Sequence, residues 1–186
     1  PEIAEHLWTV ARAAGWKGGG VLEPGCGIGV FMATAPDEAT VTGVELDPFT
    51  AAMARLLHEP HHRVITASIE AFEPSAADLT LAIGNVPFAD IAPADRIYNP
   101  DRRLSLHNYA IVKALAAVAP GAPVVLITSA YTLDAVNPAN RLQIARYAGA
   151  ETPVLAVAFT ADGGHVVASA ASSSLFVWQR ETRQRL

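Results

Sequence analysis

The stretch of sequence that decides the fold reads Val21-Leu22-Glu23-Pro24-Gly25-Cys26-Gly27-Ile28-Gly29. An apolar run ends in an acidic residue and is followed by a loop with glycine at every second position. Glycine lets the backbone turn sharply and approach a ligand closely. Such a loop, placed between a first strand and a helix, predicts a nucleotide-type pocket at the carboxyl end of a parallel strand.

The composition favours one α/β domain. Of the 186 residues, 51% are hydrophobic and 17% are charged, and buried parallel strands produce this bias because they read as continuous apolar runs. No apolar run reaches the ~20 residues of a membrane span. The single cysteine, Cys26, rules out a disulfide framework within the chain and favours a cytoplasmic protein. The chain begins at Pro1 without an initiator methionine, so we expect a domain of a longer protein.

Strand-like and helical patterns alternate along the first 130 residues. The helical patterns cover residues 2–14, 28–35, 48–58 and 105–119, and the strand-like runs after the first cover 41–46, 64–67, 79–83 and 123–128. Alternation at this spacing predicts a parallel sheet with right-handed crossovers.

The last third of the chain has a different pattern. Asn137-Pro138 predicts the start of a short helix that ends near Tyr147, and two strands are expected at 154–159 and 173–179. One interpretation is a closing β-hairpin of the same domain. The other is a WD-repeat blade, but a single blade cannot close a propeller. We therefore favour the hairpin.

The glycine loop fits one cofactor family better than another. The dinucleotide fingerprint Gly-x-Gly-x-x-Gly/Ala matches Gly25 and Gly27 but meets Val30 at its third position. Glu-x-Gly-x-Gly-x-Gly instead resembles motif I of class I S-adenosylmethionine-dependent methyltransferases. The resemblance implies a Rossmann-like fold with a seven-stranded, mostly parallel sheet, an antiparallel last strand and helices on both faces. It divides the domain into an N-terminal helix (1–15), a core (20–130) and a closing hairpin (150–180).

The resemblance also suggests which residues bind S-adenosylmethionine. Glu45 lies 20 residues after Gly25, where an acidic side chain can accept both ribose hydroxyls, whereas Asp47 is better placed to cap the next helix. By resemblance Glu23 acts near the methionine amino group, and the end of the third strand lies near the adenine ring. The cofactor-binding residues are then expected to be Glu23, Pro24, Gly25, Cys26, Gly27, Gly29, Glu45, Leu46, Ser68, Ile69 and Asn85. We interpret Cys26 as a small filling residue rather than a nucleophile.

The fourth strand carries the candidate chemistry. Asn85-Val86-Pro87-Phe88 resembles motif IV, Asn-Pro-Pro-Phe/Tyr, of methyltransferases that act on planar, conjugated nitrogen. An asparagine oxygen and a backbone carbonyl together accept both hydrogens of an amino group, which favours a pyramidal nitrogen with its lone pair aimed at the methyl donor. Val86 departs from the motif. It still supplies a backbone carbonyl, but we expect less local rigidity.

A narrower resemblance suggests the substrate. Gly84–Phe88, Tyr98-Asn99, 105–109 and 128–134 look like the adenine-specific DNA methylase domains of large plasmid and phage helicase–methylase proteins. The implied function is methylation of a flipped adenine in DNA, in a restriction–modification setting, with DNA and a fused helicase region as partners. Methylation of a glutamine amide in a protein is an alternative. A catalytically silent domain that binds cofactor or DNA is another.

Charge offers two interpretations of nucleic-acid contact. The net charge of −5 argues against an independent nucleic-acid-binding domain. Three arginines, Arg96, Arg102 and Arg103, nevertheless cluster in one loop, where they could contact phosphates. The other interpretation is a solvated loop partly neutralised by its acidic residues Asp90, Asp95 and Asp101. The histidines show no metal-ligand pattern, so we expect no metal site.

Overall fold

The protein is described from a computed structural model, which covers residues 1–73 and 79–128 together with the backbone of three later strands. The parallel strands are β1 (Gly19–Pro24), β2 (Ala39–Glu45), β3 (Arg63–Thr66), β4 (Leu79–Asn85) and β5 (Val124–Ile127). The later strands are β6 (Val154–Phe159), β7 (His165–Ala170) and β8 (Leu175–Gln179). The helices are α1 (Glu2–Ala13), α2 (Val30–Ala33), α3 (Pro48–His58) and α4 (Leu106–Ala117).

All eight strands form one sheet in the order β3-β2-β1-β4-β5-β6-β7-β8. The first five are parallel, as expected from the alternation of strands and helices, and each of the last three pairs antiparallel to its neighbour. The α/β fold class is confirmed.

The end of the sheet differs from the prediction. It carries three antiparallel strands rather than one closing hairpin, so the sheet has eight strands, not seven. The added strand is β7, whose valines 166 and 167 favour extended structure. The hairpin interpretation placed strands only at 154–159 and 173–179, which correspond to β6 and β8. The short helix expected between Asn137 and Tyr147 lies outside the described residues.

Local sequence signals set the helix boundaries. Asp47 caps α3, with its Oδ2 accepting a hydrogen bond from the Thr50 N–H at 2.7 Å, and Pro48 occupies the first turn. α2 is shorter than the predicted 28–35. Ile28 belongs to the preceding loop, and the Thr34 hydroxyl donates to the Val30 carbonyl at 3.0 Å at the end of the helix. Such bonds from threonine to the backbone compete with helix continuation.

Side chains alternate between two cores along the central strands. Val21, Leu81 and Val125 face a core that α1, α2 and α3 cover. Leu22 and Ala82 face the other core, which is covered by α4 through its small residues at positions 110, 114 and 117. This is the period-two pattern of a sheet buried on both sides. The sheet is therefore enclosed between two helical layers.

Two tryptophans attach α1 and its following turn to the first core. The Trp8 indole N–H donates to the Phe31 carbonyl at 3.3 Å, and that of Trp16 donates to Thr80 Oγ1 at 3.1 Å. Their rings lie 5.4 Å apart between centroids.

Over the part of the chain that the structure describes, no helix combines the length and apolar character needed to cross a membrane.

Gly43 in β2 gives a test of packing beneath the glycine loop. A Cβ at this position would lie 2.8 Å from Cys26 Cβ and 2.6 Å from its sulfur. We expect Gly43→Ala to lower the free energy of unfolding by about 1–3 kcal/mol, as overpacking does. Urea denaturation measures the change. In the double variant with Cys26→Gly the loss should be smaller than the sum of the two single losses, because the clash with Cys26 is removed and only the flexible end of Met32, whose Cε would lie 2.3 Å away, still has to move. Strict additivity would contradict this packing.

Candidate active site

The candidate site lies where the strand order reverses. From β1 the chain moves outward to β2 and β3, then returns to place β4 on the other side of β1. The carboxyl ends of β1 and β4 therefore lie side by side, with helices leaving toward opposite faces. Ligands of open α/β sheets bind in the crevice at such a point. The two sequence motifs follow these two strands.

The glycine loop is pinned to the end of β2. The N–H groups of Gly25 and Cys26 both donate to the Val44 carbonyl, at 2.8 and 3.0 Å. Gly25, Gly27 and Gly29 have φ values of +74°, +55° and +84°, a region that side chains with a Cβ rarely adopt. The alternating glycines are thus required by the path of the backbone.

Glu45 joins the two sides of this loop. Its Oε2 accepts the Gly27 N–H and its Oε1 accepts the Asp47 N–H, both at 2.9 Å. Each carboxylate oxygen keeps a further lone pair, and the side chain is half-buried rather than enclosed. The structure therefore brings the predicted ribose acceptor directly against the glycine loop.

Glu23 is a buried acid with an unused oxygen. It is the penultimate residue of β1 and is 2% exposed, and its Oε2 has no hydrogen-bond partner among the described residues. Burial, and secondly the negative charge of Glu45, raise the pKa of Glu23 well above its usual range. A buried acceptor without a partner is costly. Its position fits a ligand that supplies a hydrogen-bond donor, above all a cationic one.

Cys26 is a packing residue. It is buried, and burial together with the charges of Glu23 and Glu45 raises the pKa of its thiol to about 12. The thiolate is the nucleophilic form of cysteine, so this side chain is not activated for chemistry.

The strand-four motif closely approaches the glycine loop. A Cβ added at Gly25 would lie 3.3 Å from Pro87 Cδ. Asn85 is exposed at the end of β4, and Phe88 has 51% of its surface exposed. The polar side chain of Asn85 and the aromatic ring of Phe88, which are expected to meet a substrate, are thus exposed to solvent. Pro87, between them, packs toward the glycine loop.

The contacts of Val86 account for a valine where the motif has a proline. Its N–H donates to the Ile127 carbonyl at 3.1 Å, which extends the β4–β5 ladder by one bond, and its side chain is 1% exposed in the second core. A proline has no N–H to make this bond. The expected loss of rigidity is therefore offset by a hydrogen bond and by burial.

The remaining residues predicted to bind the cofactor lie around the glycine loop and the end of β3. Ser68 shapes a turn after β3, with its hydroxyl and carbonyl both accepting the Ala71 N–H. Ile69 is partly buried against the second core, and Leu46 is exposed at 68%. Pro24 continues β1 into the loop, with Val44 as its partner in β2.

The loop after the motif is internally braced. The buried Asn99 side chain donates to the carbonyls of Pro93 and Leu104, at 2.8 and 3.1 Å, and its oxygen accepts the Leu104 N–H at 3.0 Å. The ring of His107 lies 6.1 Å from that of Phe88. Burial lowers the pKa of His107, which favours a neutral ring beside Phe88.

The three arginines of this loop are exposed. Arg103 forms an ion pair with Asp101 at 3.7 Å, and Arg102 has a φ of +51°. The interpretation that Asp95 helps to neutralise these arginines is wrong, because its carboxylate pairs with the Lys113 ammonium at 3.1 Å inside the molecule. Arg96 makes no ion pair with a described residue.

Two groups that support the site, His58 and Lys113, carry no signal in the sequence pattern. His58, at the end of α3, approaches the Ile28 carbonyl with its Nε2 at 2.9 Å and so packs on the glycine loop. Lys113 is 2% exposed and bonds to Asp95 and to the Glu70 carbonyl. An amphipathic pattern could not reveal either contact, because both partners lie far away in the chain.

The raised pKa of Glu23 can be tested without a ligand, through the pH dependence of the free energy of unfolding. Because the folded state binds its proton more tightly than the unfolded chain, this group lowers stability as the pH rises above about 4.5. We expect Glu23→Gln to raise the free energy of unfolding at pH 8 by about 1–3 kcal/mol, with the gain shrinking toward pH 4. Urea titrations across pH measure it. The exposed Glu5→Gln should show no such gain, and a Glu23→Gln protein less stable than the wild type at pH 8 would contradict the assignment.

Comparisons with known proteins place the fold. No protein-family model and no curated protein sequence matches the chain. Among solved structures, Thermoplasma acidophilum 1320 has a TM-score of 0.53 at 18% identity, over 72% of this chain and 65% of that one. A candidate RNA methyltransferase from Pyrococcus horikoshii gives 0.51 at 18%, over 76% and 63%.

The geranyl diphosphate C-methyltransferase of Streptomyces coelicolor, solved with Mg²⁺, geranyl diphosphate and S-adenosyl-L-homocysteine, gives a TM-score of 0.51 at 19% identity, over 69% of this chain and 45% of that one. The matches span less than two thirds of the length of these three proteins. The chain is thus similar in fold to two proteins named for methyl transfer, and its own fold is the α/β Rossmann-like methyltransferase fold.

Proposed function

We propose that this chain is an S-adenosylmethionine-dependent methyltransferase that acts on a planar amino nitrogen. The observation that carries the proposal is the close approach of Pro87 to the Gly25 loop, which leaves no room for a side chain at position 25. It joins a nucleotide-type loop to a strand-four motif with an exposed asparagine and an exposed aromatic ring. The fold shared with methyltransferases supports the same cofactor.

The residues present fit this cofactor. Glu45 has lone pairs left for ribose hydroxyls, and the buried Glu23 Oε2 lacks the donor that a methionine amino group supplies. The half-buried Ile69 offers an apolar surface near the end of β3 for an adenine ring. When bound, S-adenosylmethionine supplies a methyl group on a positively charged sulfur.

The chain's own part in the reaction is to orient the acceptor nitrogen. The Asn85 side-chain oxygen and the Val86 carbonyl would accept its two hydrogens, and the Phe88 ring would stack on the flat group that carries it. The lone pair is then directed at the donor rather than into the conjugated system. Positioning of this kind lowers the barrier without a covalent intermediate.

Adenine in DNA is the substrate that we favour. A base has to leave the duplex to reach such a crevice, and exposed Phe88 beside His107 offers a flat surface for it. Exposed Arg96, Arg102 and Arg103 lie on the same loop and could meet phosphates. With a net charge of −5, most DNA affinity would come from regions such as a fused helicase.

A glutamine amide in a protein is the second candidate. The acidic charge of the chain favours a substrate that is not a polyanion. The amide nitrogen is planar and conjugated like that of adenine, so Asn85 and Val86 would orient it in the same way.

Asn85→Ala tests the proposed chemistry. We expect transfer of labelled methyl from S-adenosylmethionine to unmethylated DNA to fall about 10²–10³-fold, as for the loss of one transition-state hydrogen bond. Stability should not change, because the exposed Asn85 side chain makes no hydrogen bond with a described residue. Asn99→Ala is the matched control, since loss of that buried asparagine should lower the unfolding midpoint.

The molecule that receives the labelled methyl group also distinguishes the candidate functions. Label in DNA supports adenine methylation, and label in a protein but not in DNA would replace it with amide methylation. A protein that binds S-adenosylmethionine and labels neither would contradict the proposed activity in favour of a silent binding domain.

A further inference from the structure

Lys113 is a buried cation at the junction of three segments. It lies in α4 at 2% exposure, and its Nζ bonds to Asp95 Oδ2 at 3.1 Å and to the Glu70 carbonyl at 3.2 Å. The ammonium also lies over two aromatic rings, 5.1 Å from the centre of Tyr98 and 5.9 Å from that of Tyr109. The lysine thus connects its own helix with the turn after β3 and the loop after β4.

Asp95 is saturated with hydrogen bonds. Its Oδ1 accepts the N–H groups of Ile97 and Tyr98, at 2.8 and 3.0 Å, and its Oδ2 accepts the Tyr109 hydroxyl at 2.5 Å in addition to Lys113. Burial alone would raise the pKa of Asp95, but these donors outweigh it and lower the pKa. An ionised carboxylate with four donors is suited to hold a loop rather than to react.

The Glu70 turn is the fixed side of this connection. The Ala67 N–H at its start donates to the Glu45 carbonyl at 3.0 Å, and Ile69 and Phe72 pack on the second core. The turn is therefore tied to the strand end that carries the candidate ribose acceptor. The segment 86–105 is called here the substrate loop, and Lys113 links its Asp95 to this turn.

The buried ion pair between Lys113 and Asp95 is not explained by a gain in the free energy of unfolding. Apolar residues of similar volume often replace such pairs with no loss of stability, because removing two charges from water is costly. A lysine between a carboxylate and a carbonyl does, however, fix distances that apolar packing leaves adjustable.

We propose that Lys113 is a positioning residue that sets the substrate loop, and through it Asn85–Phe88, against the cofactor side of the crevice. It acts through Asp95 and touches no reacting atom. The inference rests on the proposed function for its effect on catalysis. Its effect on the loop stands without that function.

Lys113→Met tests the role, and Lys17→Met is the matched control because Lys17 is exposed and the chain has no other lysine. In the ligand-free protein we expect the amides of Ile97 and Tyr98 to exchange hydrogen at least about tenfold faster, while amides of β1 and β2 keep their rates. Unchanged rates at both loop amides, or equal acceleration across the sheet, would overturn the proposal.

Kinetics supply the second readout. At saturating cofactor, kcat/KM for the acceptor should fall about 10–100-fold in Lys113→Met, as for a misplaced reacting group, while the Kd for S-adenosylhomocysteine changes less than about threefold. Lys113→Arg, which keeps the charge, should recover part of the loss. A cofactor Kd that weakens as much as kcat/KM would overturn the positioning role.

Two further outcomes are distinguishable. If the wild type transfers no methyl group, the proposed function fails, but the exchange rates of Ile97 and Tyr98 still decide the role of Lys113. If Lys113→Met does not fold, Tyr109→Phe removes one donor from Asp95 and should accelerate the same two amides by a smaller factor. Absence of that acceleration would contradict the proposal.

Discussion

The hydrogen bond between the Gly27 N–H and the Glu45 carboxylate is the interaction on which the crevice depends. Glycines leave the loop after β1 with many conformations to lose, and this bond selects one of them. The same carboxylate accepts the N–H of Asp47, which caps α3, while the Val44 carbonyl holds the start of the loop. The end of β2 therefore determines the shape of a loop that belongs to β1.

The arrangement places two acids at one edge of the sheet. Glu23 is buried with an unpartnered oxygen, and the charge of Glu45 adds to the effect of burial on its pKa. Such a pair opposes folding of the empty protein. It would become favourable with a ligand that supplies a cationic donor to Glu23 and hydroxyl donors to Glu45, as we propose for the amino group and the ribose of S-adenosylmethionine. On this account, part of the stability of the empty chain is given up for binding.

Sequence patterns predicted the parallel strands, the Asp47 cap and the glycine loop, because each depends on local periodicity or on residues close together in the chain. The patterns failed where a distant partner decides. Val86 looked like a weakened motif until its bond to Ile127 was placed, and Asp95 looked like a solvated acid until Lys113 was found beside it. The strand β7 was missed because the favoured hairpin interpretation has only two strands in the tail. Its pairing on both edges is a property of the whole sheet.

Calorimetric binding of S-adenosylhomocysteine to the wild type, Glu45→Gln and Asp47→Asn measures how far the crevice depends on the Glu45 carboxylate. Glutamine at position 45 turns one acceptor toward an N–H into a donor, whereas asparagine at 47 still caps a helix. We expect binding by the wild type, at least about tenfold weaker binding by Glu45→Gln, equivalent to about 1.4 kcal/mol, and an unchanged Kd for Asp47→Asn. No binding by the wild type, or equal affinity in Glu45→Gln, would contradict this dependence.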